Sequence, residues 1–264
     1  MSIYIAAALP STEDSLAYLE SETHRFVEVA ARSPLASHVP AYPAFTVETL
    51  SAHIGKALRI FHTVASAGSY REDRDTPAPT GSAVIDWVEV GLAPLLRLLS
   101  EVDPDKLVPF PHGVGHRPAG LVAPLLAVEV GVHRWDVESV LGDHAPIPAE
   151  LAIVEIDKVF ENFVPRLASS GVGSIGGIVE LRATDAEVRW ALSVQDGQLH
   201  AGRLESETVR ADVVVFASAQ DLSLLVWKRA LPPRSGVEIS GPVDVLRRLL
   251  SIDYIPDPLT TPAH

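Results

Sequence analysis

The sequence predicts a two-domain protein of mixed class, with an N-terminal helical bundle over residues 1–170 and a smaller C-terminal α+β domain over residues 171–264. Apolar residues recur at helical spacing through the first part of the chain. The glycine-rich stretch at residues 171–177 interrupts this pattern, as a linker does. Short β-branched runs separated by turns follow it, and helices followed by strands are typical of an α domain joined to an α+β domain.

The elements follow from periodicity and from their end signals. Helices are predicted over residues 11–33, 46–67, 82–101, 119–141 and 148–168. Ser11 and Thr46 are suitable caps for the first two helices, because their hydroxyl groups can accept from the free amides of a first turn. After the linker, strands are predicted over residues 178–183, 188–194, 213–217 and 237–240, with helices over residues 222–231 and 243–250. Residues 110–118 are predicted to be a loop rich in Gly and Pro.

Composition excludes several classes of partner and chemistry. The net charge of −13 argues against nucleic acid or an anionic membrane as the main partner. No apolar run approaches the roughly 18 residues of a membrane span. The first residues lack a basic leader, so we expect a cytoplasmic protein. There is no cysteine, so any bound metal must be held by His, Asp or Glu.

Ionisable side chains interrupt the apolar faces of two predicted helices. Glu129 and His133 are four residues apart on the helix predicted at residues 119–141, so the two side chains project in nearly the same direction, toward the core. His53 occupies an inward position of the second helix. A buried hydrogen-bonded pair is one explanation for Glu129 and His133. With His53, however, they form an N,N,O ligand set that leaves a position open, as catalytic zinc sites do.

Other candidate motifs have weaker geometry. His62 is predicted to lie on the opposite side of its helix from His53. His112 and His116 are in the Gly/Pro loop and are expected to be surface or pocket-lining residues. Residues 171–177 contain Gly-x-Gly-x-x-Gly, but a helix precedes them and a strand follows, the reverse of the order in a dinucleotide site. Ser174 is not in a nucleophile-elbow sequence either.

Three motifs in chain order resemble those of one known family. They are Thr46-Val-x-x-Leu-x-x-His53-Ile-Gly55, then Glu129-x-x-x-His133-Arg-Trp-Asp136, and then Ala211-Asp-Val followed by Asp221-Leu and Leu-Val-Trp227-Lys-Arg229. Together they resemble the mycothiol-dependent maleylpyruvate isomerase family of DinB-like metalloenzymes. The resemblance extends from about residue 12 to residue 250. The segment Ala41–Phe45 departs from the Cys-Pro-Gly-Trp-like sequence usual at the start of the second helix.

The resemblance implies a fold, a cofactor set and a reaction. The fold is a DinB-like four-helix bundle followed by a sterol-carrier-like domain. The metal ligands would be His53, Glu129 and His133, holding Zn²⁺ or another divalent metal. Arg229 would be the catalytic residue and would also bind the thiol cofactor, mycothiol. The expected reaction is isomerisation of, or S-transfer to, a small electrophilic substrate.

Two alternatives to a thiol-dependent enzyme remain open at the level of sequence. The same three ligands would support a metal-dependent hydrolase that uses zinc-bound hydroxide and needs no thiol. A non-catalytic protein could instead retain the bundle for ligand capture. Dependence of activity on a thiol distinguishes the first alternative, and metal binding without turnover distinguishes the second. Asp136 is expected to orient either Arg134 or a metal-ligating imidazole.

Overall fold

The chain forms two compact units of different class. The computed structural model describes residues 9–68, 77–110, 115–167, 176–205, 209–229 and 235–255. One unit comprises Leu9–Pro146, and the other begins at Ile147. This division therefore groups the fifth predicted helix with the later residues, whereas the domain boundary predicted from the sequence follows residue 170. The predicted linker at residues 171–177 lies mostly outside the described residues.

Four long helices build the first unit. Its elements are α1 (Thr12–Arg32), α2 (Val47–Ala67), α3 (Ala83–Glu101), β1 (Leu107–Phe110), β2 (Gly115–Pro118) and α4 (Val122–Leu141). Helix α1 packs against α3 and α4, and α2 packs against the same two helices. Among the described residues, none of the helices is both long and apolar enough to cross a membrane.

The predicted starts of α1 and α2 are confirmed, and their caps explain them. The Ser11 side chain accepts a hydrogen bond from the backbone N–H of Asp14, three residues on. Thr46 and Thr49 form a reciprocal capping box at the start of α2. At its other end, Gly68 adopts a left-handed conformation that glycine takes without steric cost, and its N–H donates to the carbonyl of Val64.

Two predictions for the first unit were wrong. Strand β2 lies within residues 110–118, where a loop was predicted, and pairs antiparallel with β1, with Leu107 opposite Pro118. Helix α4 was predicted to be amphipathic, but its residues from Val122 to Glu138 are buried almost throughout. A helix that is covered on nearly every side needs no polar stripe, so its apolar residues follow no single face.

The second unit is a five-stranded sheet with helices. Its elements are α5 (Ala149–Lys158), a π-helical turn (Val159–Phe163), α6 (Val164–Leu167), β3 (Ile178–Ala183), β4 (Arg189–Gln195), β5 (Gln198–Arg203), β6 (Val213–Ala217), α7 (Ala219–Val226), β7 (Glu238–Ser240) and α8 (Val243–Leu250). The strand order is β5-β4-β3-β6-β7, in which only the β3–β6 pair is parallel. The mixed α/β class predicted for this part of the chain is confirmed.

A buried carboxylate joins α5 to the sheet. Asp157 accepts hydrogen bonds from Trp190 Nε1 at 2.8 Å and from the guanidinium of Arg203 at 2.6–3.1 Å. Asp157 is almost fully buried, and a buried carboxylate is tolerated only when its oxygens are paired. These bonds fix the end of α5 against β4 and β5.

Candidate metal centre

Three side chains from two helices of the first unit converge on one point. His53 is on α2, and Glu129 and His133 are on α4, one helical turn apart. The Nε2 atom of His53 lies 3.1 Å from Glu129 Oε1, and the Nε2 atom of His133 lies 3.5 Å from the same oxygen. The potential ligand atoms of the three residues all lie within 4.8 Å of one another. The structure therefore brings together the three residues that the sequence selected.

The donor set fits a divalent metal. Donors that are each about 2.1 Å from a tetrahedral zinc ion are roughly 3.4 Å apart. The two nitrogen–oxygen distances measured here, 3.1 and 3.5 Å, bracket that value. Two imidazoles and one carboxylate are also the ligand types that Zn²⁺ takes in catalytic sites. Within the described part of the chain, no other group of three such residues has this arrangement.

The cluster is open on one side and covered on the other. The side chains of His53 and Glu129 are 30% and 23% exposed, whereas that of His133 is 9% exposed. Phe45 covers the imidazoles, with its ring centroid 5.6 Å from that of His53 and 5.9 Å from that of His133. Phe45 itself is buried. A small molecule can thus approach the cluster where His53 and Glu129 are exposed.

Charged neighbours raise the pKa of the His133 imidazole. Burial alone would lower this pKa, but the hydrogen bonds and negative charges of Asp136 and Glu129 outweigh burial. The Nδ1 atom of His133 lies 3.0 Å from Asp136 Oδ2. The net result is a pKa above the ordinary value of 6.5. A cation that competes with protons for this nitrogen would therefore bind more weakly in acid.

Arg134, the next residue along α4, faces away from the cluster. Its guanidinium bonds Glu22 of α1 and Glu138 of α4, and it donates to the carbonyls of Ala145 and Pro146 at 3.1 and 3.3 Å. Burial raises the pKa of the Glu22 carboxyl, and the charge of Arg134 opposes that rise. Arg134 thus clamps α1 and the segment after α4. Of the two roles expected for Asp136, the contact with the imidazole is the one found.

Arg229 lies in the second unit, just beyond α7. The helix predicted at residues 222–231 instead ends at Val226, and Lys228 takes the left-handed conformation with φ of 59°. The N–H of Arg229 donates to the carbonyl of Leu224 at 2.8 Å, which closes the helix end and makes the predicted extension wrong. Its Nη1 donates to the carbonyl of Trp227 at 3.1 Å. Arg229 therefore belongs to a helix-ending turn and not to the helix itself.

Among the residues that the structure describes, the other histidines do not join the cluster. His62 is partly exposed on α2, and His116 is exposed on β2, as expected. His112 lies outside the described residues. No role was predicted for Phe45, which covers the cluster. One signal was available, because an apolar residue directly before a helix cap, here Thr46, commonly packs at the start of the helix.

Comparisons with known proteins agree with this geometry. Residues 16–138 match the family model described as the mycothiol maleylpyruvate isomerase N-terminal domain. Crystal structures of the mycothiol-dependent maleylpyruvate isomerase and of its histidine-to-alanine mutant each superpose with a TM-score of 0.62 at 17% identity. Each comparison covers 91% of this chain and 96% of the other. A comparison with curated protein sequences gave no match.

The solved structures and the family model provide different information about this chain. At 17% identity, the solved structures show a shared fold and nothing more. The family model identifies relatives by sequence, and the residues it matches contain all three donors of the cluster. As the motifs predicted, residues 16–138 are similar to the N-terminal domain of the mycothiol maleylpyruvate isomerase family.

Proposed function

We propose that this chain is a zinc-dependent enzyme that activates a low-molecular-weight thiol, mycothiol, for reaction with a small electrophilic substrate. The reaction would be isomerisation or S-transfer, with maleylpyruvate the first substrate to test. The single observation that carries the proposal is the convergence of His53, Glu129 and His133 within the residues that match the family. We place the enzyme in the cytoplasm, where small thiols stay reduced.

The proposal includes finer assignments of fold. We assign the four long helices of the first unit to a DinB-like bundle, because a site built from side chains on facing helices is typical of bundle cores. We assign the second unit to a sterol-carrier-like domain. The shared fold with the solved maleylpyruvate isomerase structures supports both assignments.

In this proposal, His53, Glu129 and His133 hold the metal, which would favour the thiolate form of a bound thiol. The open side of the cluster, at His53 and Glu129, admits the thiol. Phe45 packs against both imidazoles and would exclude water from that part of the site. Because the chain has no cysteine, the sulfur must come from a separate molecule.

The organic chemistry balances without any other reagent. Addition of the thiolate sulfur to an activated carbon–carbon double bond forms a carbon–sulfur bond and leaves a single bond that can rotate. Elimination of the same thiolate restores the double bond in the other configuration. In S-transfer, the sulfur instead displaces a leaving group, which departs with its electron pair.

We assign Arg229 to the binding of an acidic group of the substrate or the thiol. A guanidinium is always charged and presents two parallel N–H donors to a carboxylate. The match of Trp227-Lys-Arg229 to the family motif supports this role. The turn that contains Lys228 fixes the backbone of Arg229.

The test measures metal and thiol dependence together. Elemental analysis should find about one zinc per chain in the wild type and none in the variant with alanine at His53, Glu129 and His133. His62→Ala is the matched control, because His62 is on the same helix as His53 but outside the cluster. Unchanged metal content in the triple variant would refute the ligand assignment.

Turnover of maleylpyruvate and of a panel of electrophiles is then measured with and without mycothiol. The proposal expects turnover only in the presence of the thiol. Equal hydrolysis without any thiol would establish the metal-dependent hydrolase instead. Metal content without turnover would favour a binding protein.

A further inference from the structure

Asp136 is a fully buried carboxylate placed one turn after His133 on α4. Its Oδ2 lies 3.0 Å from the Nδ1 atom of His133, and its side chain has no exposed area. Because the two residues are three apart on one helix, the backbone itself fixes their separation. The opposite ring nitrogen of His133, Nε2, faces Glu129 Oε1 at 3.5 Å. The imidazole of His133 therefore lies between the buried carboxylate of Asp136 and the partly exposed carboxylate of Glu129.

The partner of one ring nitrogen decides the state of the other. A neutral imidazole carries its proton on one nitrogen and a lone pair on the other. An ionised carboxylate only accepts hydrogen bonds, so Asp136 requires the proton of His133 on Nδ1. The lone pair is then on Nε2, which points toward Glu129 and into the cluster with His53.

Arg134 offers no competing explanation for the position of Asp136. The guanidinium of Arg134 is directed to Glu22 of α1 and to Glu138. Arg134 and Glu138 are on the same helix as the cluster residues Glu129 and His133. They project from a different side of that helix. Asp136 also takes no part in the contacts of Arg134.

We propose that Asp136 is a positioning residue, which keeps the proton of His133 on Nδ1 and so presents the Nε2 lone pair to a divalent cation. This proposal rests on the proposed function, because it requires that the cluster binds a divalent cation. The tautomer itself is a property of the polypeptide and can be measured separately. Outer carboxylates of this kind typically contribute about 10- to 100-fold to metal affinity.

The first experiment uses the Asp136→Asn variant, which preserves size and removes the charge. The asparagine amide can donate an N–H to Nδ1, which would move the imidazole proton to Nε2 and remove the ligand lone pair. Zinc affinity of the protein stripped of metal, measured by competition with a chromophoric chelator, should fall by about 10- to 100-fold. Asp143→Asn is the matched control. It removes the same charge from an exposed carboxylate just past α4 and should leave affinity unchanged.

The second experiment measures the tautomer of His133 directly. Nitrogen-15 NMR of the wild-type protein without metal, at a pH where the imidazole is neutral, reports which ring nitrogen is protonated. The His133 signals are assigned by their loss in His133→Gln. We expect the proton on Nδ1 in the wild type and a shift toward Nε2 in Asp136→Asn.

The outcomes separate this proposal from the proposed function. A proton on Nε2 in the wild type, or equal zinc affinity for wild type and Asp136→Asn, would overturn the role of Asp136. A wild type that has the Nδ1 proton but binds no zinc would contradict the proposed function. That result would still support the control of the His133 tautomer by Asp136.

Discussion

A single methyl group added at Gly55, in the first unit, is predicted to destabilise the fold. Gly55 lies on α2, two residues after His53, and faces Trp87 of α3. A Cβ atom at residue 55 would be 2.3 Å from Trp87 Cε3 and 2.5 Å from Cζ3. Ordinary carbon–carbon contacts are about 3.5–4.0 Å, so Gly55→Ala would require the indole ring to move by about an ångström or more.

The magnitude follows from three contributions. Overpacking a core contact costs about 1–3 kcal/mol. Moving Trp87 also weakens its contact with the Arg59 guanidinium, 3.9 Å from the ring centroid, which is worth about 0.5–1 kcal/mol. Alanine returns about 1 kcal/mol because it is a better helix former than glycine. We therefore expect Gly55→Ala to lower the free energy of unfolding by about 0.5–3 kcal/mol.

Gly91→Ala is the matched control, and urea unfolding followed by far-UV circular dichroism is the assay. A Cβ atom at residue 91 would be 2.8 Å from Arg59 Nη1, the far end of a flexible side chain that can shift at the cost of part of its contact with Trp87, about 0.5–1 kcal/mol. The gain in helix propensity should then leave this variant within about 1 kcal/mol of the wild type. Both variants are measured without metal, so that ligand binding does not contribute. If Gly55→Ala is as stable as the wild type, or more stable than Gly91→Ala, the packing argument is refuted.

Four further predictions concern the metal, the active site and the second unit. Excess zinc should raise the melting temperature of the wild type but not of the triple alanine variant, because a ligand that binds only the folded state stabilises it. Phe45→Leu should keep the fold and weaken zinc affinity in chelator competition, since it loosens the packing around both imidazoles; equal affinity would argue against this role. Arg229→Ala should retain zinc and lose at least about tenfold in activity, or about 1.4 kcal/mol, and Arg229→Lys should recover only part of it; full activity of the alanine variant would exclude Arg229 from the site. Asp157→Ala should cost about 3–5 kcal/mol in urea unfolding, because it leaves Trp190 and Arg203 without their acceptor; a loss below 1 kcal/mol would contradict this estimate.

The candidate cluster could be predicted because its geometry is local. Glu129 and His133 are one helical turn apart, so the helical repeat alone places them together. The inward position of His53 could be predicted because the apolar residues of α2 show which face of that helix packs against the core. The family motifs then linked the two helices. The cover provided by Phe45 could not be obtained this way, since it depends on how the segment before α2 folds back.

Strand β5 and the end of α7 were not predicted correctly from the sequence. Strand β5 follows Asp196-Gly197, a dipeptide that marks tight hairpins, and both residues have the positive φ that such a turn requires. The sequence therefore contains a local signal for this hairpin. The end of α7 was different, because a lysine, Lys228, occupies the left-handed position that glycine usually takes. Its Nζ donates to the carbonyl of Ile252 at 2.7 Å, a tertiary contact that no local pattern encodes.

The packing of α4 limits where this chain could acquire insertions. His133 faces His53 of α2, while the adjacent Arg134 is bonded to Glu22 of α1. One extra residue between Glu129 and Glu138 would rotate the residues on one side of it by about 100° relative to those on the other side. No single rotation of the helix could then restore both the cluster and the contacts of Glu138 with Arg25 and Arg134. Changes of chain length should therefore be tolerated better in exposed connecting segments and selected against between these two residues of α4.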